Sequence, residues 1–196
     1  MYKVIGTVKS RAFRVMWMLE ELGQSYEIVP APPASDLAKS FNPLGKIPAL
    51  VDGDTVLTDS VAIMTYLADK HQMLTAPAGT PERAKQDAMT LWLVDEMDAL
   101  LWTYTKHSFI IPEGDRLQNV GPALQAEYTK TCARIEEMLD SAFLMGDDIS
   151  VPDLLAVHCM GWAHGVGFPP LGPKGKAYMK ACRARPAFRA AGAHAT

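Results

Sequence analysis

The N-terminal half of this chain has no cysteine. The three cysteines, Cys132, Cys159 and Cys182, are odd in number and widely spaced. A domain that does its own thiol redox chemistry carries Cys-x-x-Cys near its first helix, so any sulfur chemistry here needs a sulfur supplied by a ligand. The same spacing fits a reducing cytosol without structural disulfides, and a cytoplasmic location is expected. Long runs of one charge are also missing. The 22 acidic and 19 Lys or Arg residues leave a formal net charge of −3, which argues against nucleic acid and anionic membranes as partners. No apolar stretch reaches the ~18 residues that suggest a membrane span. The start, Met1-Tyr2-Lys3-Val4-Ile5-Gly6, reads as a strand rather than a signal peptide.

Several catalytic signatures are absent too. Gly165-Val166-Gly167 lacks the third glycine and the strand context of a dinucleotide loop. There is no Gly-x-Ser-x-Gly elbow and no P-loop. His158 and His164 fall on different sides of a helix, a poor metal pair. Asp95, Glu96 and Asp98 read as a solvated or interface face. No metal is expected, and there is no internal repeat.

What is present is a chain of 196 residues, 48% hydrophobic, with enough apolar content for one large or two small cored domains. Tyr2 to Gly6 predicts a strand. From Ala12 the pattern turns helical, with Ala12, Val15, Met16, Leu19 and Leu22 on one face and Gly23 as the stop. Tyr26 to Val29 is a second strand, parallel to the first by the crossover rule. Pro30 to Phe41 carries three prolines and reads as irregular or weakly helical. After His71 a Pro- and Gly-containing linker leads into segments that all read as helical, among them Pro81 to about His107 and about Pro122 to Phe143. Ser150 and Asp153 make a capping box, with Ile149 as a staple to Leu154, and belong to folding rather than catalysis.

The stretch from Asn42 to Lys70 organises the rest. Asn42-Pro43-Leu44-Gly45-Lys46-Ile47-Pro48 reads as a loop, and Pro48 to Val51 as a short strand. Asp52-Gly53 predicts a type I′ turn, Asp54 to Leu57 a returning strand, and Thr58-Asp59-Ser60 the start of a buried helix. Asp59 and Ser60 admit two readings. They cap the helix, or they hold a ligand bearing both an amine and a carboxylate, the carboxylate on the helix N-terminus and the amine on Asp59. If Ile47-Pro48 were cis, the Ile47 backbone would turn outward, ready to pair with an extended peptide.

In order and spacing this stretch resembles the glutathione-binding half of a cytosolic glutathione transferase. There a loop N-P-x-x-[KQ]-[VI]-P-x-L precedes a hairpin, and a [DE]-S pair opens the next helix. The likeness runs over nearly the whole chain and suggests a bacterial-type member of serine or cysteine type rather than tyrosine type. It implies an α/β thioredoxin-like N-terminal domain at 1–74, a linker at 75–81 and an all-α domain at 82–196. It also implies glutathione as co-substrate, a small electrophile as second substrate, a homodimer and a role in detoxification.

By the same resemblance, Asp59 and Ser60 hold the γ-glutamyl head, Ile47 pairs by its backbone with the cysteinyl unit, and Pro48 is the cis proline that sets the turn. Lys46 sits near the glycyl carboxylate, although it also reads as an ordinary loop lysine. Such enzymes place a Tyr, Ser or Cys near the thiol, in the loop before the first helix. Here that loop is Lys9-Ser10-Arg11, so Ser10 is the candidate thiol-activating residue, or else a helix N-cap. Serine-type members put the serine slightly earlier, nearer Lys9, and this chain departs from them there. Tyr104, His107, Phe109, Trp162 and Phe168 are candidates for the electrophile pocket. The rival readings are a family fold that only binds a partner, and a glutathione-dependent isomerase or disulfide reductase.

Overall fold

The computed structural model describes residues 1–194. Tyr2–Ile5 forms β1, with Val4 and Ile5 fully buried and Lys3 exposed. Helix α1 (Ala12–Glu21) follows, and β2 (Tyr26–Val29) returns parallel to β1, Tyr2 facing Tyr26. The proline-rich stretch contains one short helix, α2 (Asp36–Phe41), whose start is capped by Ser35 accepting from the Ala38 N–H. Strand β3 (Ala49–Asp52) runs antiparallel to β1, and β4 (Thr55–Thr58) runs antiparallel to β3. The sheet order is β2-β1-β3-β4, and α3 (Ser60–His71) closes this half.

The hairpin differs in detail from the expected type I′ turn. Asp52 stays in the ladder, paired with Thr55, so the turn residues are Gly53 and Asp54. Of the two, only Gly53 has positive φ, at 60°, which is the pattern of a type II′ turn with glycine first.

The remaining segments are helical. A continuous helical run begins with α4 (Pro81–Leu93), passes through a π-helical turn at Val94–Asp98, continues as α5 (Ala99–Thr105) and ends in a second π-helical turn at Lys106–Ile110. Then come α6 (Val120–Met138), shorter at its end than the expected helix to Phe143, α7 (Val151–Gly165), α8 (Pro173–Ala184) and α9 (Pro186–Ala193). No described helix is long and apolar enough to cross a membrane.

Two compact units result. One is Met1–Thr80 together with the chain from Cys182 onward, and the other is Pro81–Ala181. The division read from sequence counts the last helix with the all-α part, whereas α9 packs in the first unit on α1. Phe188 meets Phe13 and Trp17 edge-on, with ring centroids 5.0 and 4.9 Å apart. This changes the picture of α1. Periodicity gives it one buried face, yet every residue from Ala12 to Leu19 is buried, because α9 covers the side that the sheet and α3 do not.

In the helical unit, Asp153 is fully buried at the start of α7 and completes the expected capping box with Ser150. Its carboxylate accepts from Ser150 N–H at 2.8 Å, Ser150 Oγ at 2.9 Å, Leu144 N–H at 2.9 Å and the Tyr178 hydroxyl at 2.7 Å. Phe168 belongs to the core of this unit, edge-on to Tyr104 and Tyr128. Asp98 departs from the expected solvated face: it is buried and accepts from the Cys159 thiol. Among the described residues no three His, Cys, Asp or Glu side chains converge as a metal site would require.

Candidate functional site

The site is best built from the turn at Asn42. Its side chain is buried and braces the loop twice. The Asn42 amide donates to the Lys46 carbonyl at 3.1 Å, and its Oδ1 accepts from the Leu44 N–H at 3.1 Å. Gly45 adopts φ 64°, a left-handed turn that favours glycine, with the Ala34 backbone packed where a Cβ would go. The braced loop delivers Ile47, and the Ile47-Pro48 bond is cis. Pro48 is buried, Lys46 exposed and Ile47 half-buried. Neither the N–H nor the carbonyl of Ile47 is hydrogen-bonded among the described residues.

Gly6 brings this loop against the start of α1. A Cβ at Gly6 would lie 2.7 Å from the Ala12 Cβ and 3.4 Å from the Ile47 Cβ, so a side chain there would push the two apart. On the α1 side is the turn of Thr7 to Arg11. Ser10 is half-buried, and its hydroxyl donates to the Thr7 carbonyl at 2.7 Å and accepts from the Ala12 N–H at 3.1 Å. Ser10 therefore ties down the helix start. Lys9 is exposed, Arg11 half-buried.

The α3 start supplies the third part. Asp59 is the N-cap, and one carboxylate oxygen accepts from the Val61 and Ala62 N–H groups at 2.9 and 3.1 Å. The second oxygen has no hydrogen bond among the described residues. Asp59 is exposed, and its backbone, at φ 70° and ψ 125°, lies where an L-residue is strained. Ser60 beside it is 3% exposed. Its Oγ accepts from Arg14 Nη1 at 3.1 Å, and its own proton goes to no described residue.

Arg14 is the site residue that the motif does not name. It is 1% exposed on α1, and it is the one charged side chain among eight consecutive buried positions. That contrast, an arginine inside an otherwise apolar helix face, is legible in the sequence. What sequence cannot give is its partner, because Ser60 lies in a distant element. The Ser60 hydroxyl and the α3 N-terminus beside it favour an anion at this point.

Of the candidate pocket residues of the helical unit, Tyr104 and Phe168 meet edge-on, Phe168 within the core, and Phe109 is exposed. His107 Nδ1 accepts from the Leu117 N–H at 3.0 Å, and Trp162 packs edge-on to His158. The cysteines are buried. Burial pushes the Cys132 thiol up to about 11, so it stays protonated and unreactive at neutral pH.

Comparison with known proteins adds the ancestry. Residues 10–70 match the family model of the glutathione S-transferase N-terminal domain. The chain is 31% identical over 198 aligned positions to glutathione S-transferase 3 of Zea mays, covering 90% of this chain and 86% of that protein. This chain belongs to the glutathione S-transferase family. It is also 34% identical to human glutathione S-transferase theta-1, over 63% of this chain and 54% of the relative, so it spans only about half of that protein. In fold it resembles the theta class enzyme of Xanthomonas axonopodis pv. citri, solved with glutathione bound, at a TM-score of 0.79 and 24% identity over 97% of this chain and 96% of that one.

Proposed function

We propose that this glutathione transferase family member binds glutathione in its N-terminal unit and activates the thiol for attack on a small, soft electrophile. The observation that carries this reading is the set of unused bonding positions around the α3 start. They are one Asp59 oxygen, the Ser60 hydroxyl proton and both backbone groups of Ile47. Glutathione has a matching set. Its γ-glutamyl ammonium suits Asp59, and its α-carboxylate suits Ser60, Arg14 and the helix N-terminus. Its cysteinyl amide suits Ile47, and its glycyl carboxylate suits the Lys46 ammonium. The ligand seen in the Xanthomonas structure, and the names of the maize and human relatives, support glutathione as the ligand.

Activation of the thiol falls to the turn before α1. Lys9, Arg11 and the positive end of α1 favour a thiolate there. The Ser10 hydroxyl can donate to sulfur only after leaving the Thr7 carbonyl. With an aryl halide, the thiolate forms the new carbon–sulfur bond, the halide leaves with the electron pair, and the thiol proton passes to solvent. With an enone the sulfur adds to the β-carbon and solvent protonates the α-carbon. With a peroxide the sulfur takes one oxygen, the O–O bond breaks to release the alcohol, and a second glutathione converts the sulfenic acid to the disulfide and water. We place the protein in cytoplasmic detoxification and expect a homodimer. Exposed Leu91, Phe109 and Ile110 on the long helical run leave apolar surface that a second copy would cover; sedimentation at micromolar concentration measures this.

The deciding experiment is isothermal titration with glutathione, followed by turnover assays over aryl halides, enones, peroxides and mixed disulfides. Saturable binding with turnover of one class supports the transferase reading. Absence of glutathione binding would sink it. The engagement of Ser10 with Thr7 favours one alternative, a member that binds glutathione or a peptide without catalysis. Binding without turnover of any class would select that alternative.

A further inference from the structure

Helix α1 carries Arg14 near its start and is gripped at its end, through Glu21, by the C-terminal segment. Glu21, at the end of α1, has a nearly buried side chain, 7% exposed. Arg185 binds it with two parallel bonds, Nε to Oε1 at 2.6 Å and Nη2 to Oε2 at 2.7 Å. Trp17, fully buried one turn earlier, donates its indole N–H to the same Oε1 at 2.9 Å. Phe188 of α9 fills the space beside Trp17 and Phe13, and the Arg183 guanidinium lies 5.6 Å over its ring. A two-bond guanidinium–carboxylate pair fixes orientation as well as distance. These contacts therefore set where α1 lies about its axis, and not only that it is buried.

Phe13 immediately precedes Arg14, and both are on the first turns of α1 after Ser10. A rotation of α1 that relieved Phe13 would carry the Arg14 guanidinium off Ser60, where the pair is 3.1 Å apart. We propose that Arg185, acting through Glu21 and Trp17 and helped by Phe188, is a positioning residue that holds α1 so that Arg14 meets Ser60 at the glutathione head-group site. The proposal rests on the glutathione reading given above. It makes the last part of the chain a support for the binding site formed by the first part.

The test is titration of glutathione into the full-length parent and the Arg185→Ala, Arg185→Lys and Phe188→Leu variants, each checked for folded fraction by its melting curve. Arg185→Ala is expected to weaken glutathione binding by roughly three- to thirtyfold, the range of coupling carried through packed neighbours. Arg185→Lys, which keeps the charge and loses the fork, should recover part of that loss. Phe188→Leu should weaken binding in the same direction, and it decides the matter if Arg185→Ala does not fold. A purely structural contact would lower the melting temperature and leave the affinity of the folded protein unchanged. If the parent binds glutathione and the folded variants bind it equally well, the positioning role is wrong and the binding site stands. If the parent does not bind, the glutathione reading falls and this proposal falls with it.

Discussion

Helices α3 and α7 each begin with an aspartate and a serine, and the two starts are used in opposite ways. At α7, Asp153 is fully buried and accepts four hydrogen bonds from three residues. Burial pushes its carboxyl up, while those donors pull it back. At α3, Asp59 is exposed, accepts two bonds through one oxygen and holds a strained backbone. Ser60 is buried, but a guanidinium, not a carboxylate, reaches it. A helix start whose groups are all satisfied internally serves folding. One with an unused acid oxygen and an undonated hydroxyl proton has bonding capacity left for a ligand.

The sharpest way to break that comparison is Asp153→Ala. It removes the cap and strands buried donors from Leu144, Ser150 and Tyr178, so a loss of about 2–5 kcal/mol is expected, above that of a simple cap. Melting temperature measures it. Glutathione affinity of the folded fraction should stay within severalfold of the parent. Retained melting temperature with lost binding would show that the roles of the two helix starts are reversed.

Next in size are the α3 variants. Ser60→Ala should cost about 1.5–3 kcal/mol of glutathione binding, roughly ten- to a hundredfold in affinity, with a smaller loss of stability. Asp59→Ala should weaken binding to a similar extent and also lose the cap. Asp59→Gly separates these effects, because glycine accepts φ 70° without strain and a glycine N-cap costs only a few tenths of a kcal/mol. The expected result is a nearly unchanged melting temperature with binding as poor as in Asp59→Ala. Parent-like titration of Asp59→Gly would reduce Asp59 to a cap.

The contrast between the two starts is only partly visible in the sequence. Local signals carry the strands, the α1 and α3 limits and the Ser150–Asp153 box, because caps, turns and periodicity act over a few residues. The role of Glu21 is not visible: in sequence Glu20-Glu21 points away from the apolar face of α1, and its partner Arg185 lies far along the chain. For the same reason α1 reads as half-buried and proves buried all round. Tyr178 and Leu144 on Asp153, and Arg14 on Ser60, are likewise products of tertiary packing. The hairpin erred by one residue because Asp-Gly marks where the chain turns but not which of its residues stays in the ladder.

Ser10→Ala probes a third helix start, intermediate between the other two. Its hydroxyl is committed to Thr7 and Ala12 in the structure, so the variant should lose about 0.5–2 kcal/mol as an ordinary cap. A free cysteine thiol ionises near 8.5, and the thiolate absorbance of the complex should titrate below that. In Ser10→Ala it should move up by about one unit or less, worth ~1.4 kcal/mol. An unchanged titration would assign the sulfur to Lys9, Arg11 or a backbone N–H.

The smallest effect is expected at Asp52, an aspartate with good partners, a half-buried side chain and no helix start. Its Oδ2 accepts from the Tyr66 hydroxyl at 2.6 Å and from the Lys70 ammonium. The Lys70 hydrogen bond, then that of Tyr66, holds its carboxyl below the ordinary range. A carboxyl with a lowered folded value binds fewer protons when folded. Its contribution is therefore complete above the unfolded value, about 3.9, and disappears as the pH falls through the folded one. Because the pair is solvated, the effect belongs at the low end for ion pairs and should shrink in salt. Melting curves of the parent and Asp52→Asn should differ slightly at neutral pH and converge once the pH falls below the folded value. A gap that persists there would mean that Asp52 acts through shape rather than charge. It would then resemble Asp153 in kind, and burial would no longer be what separates a structural aspartate from one left open to a ligand.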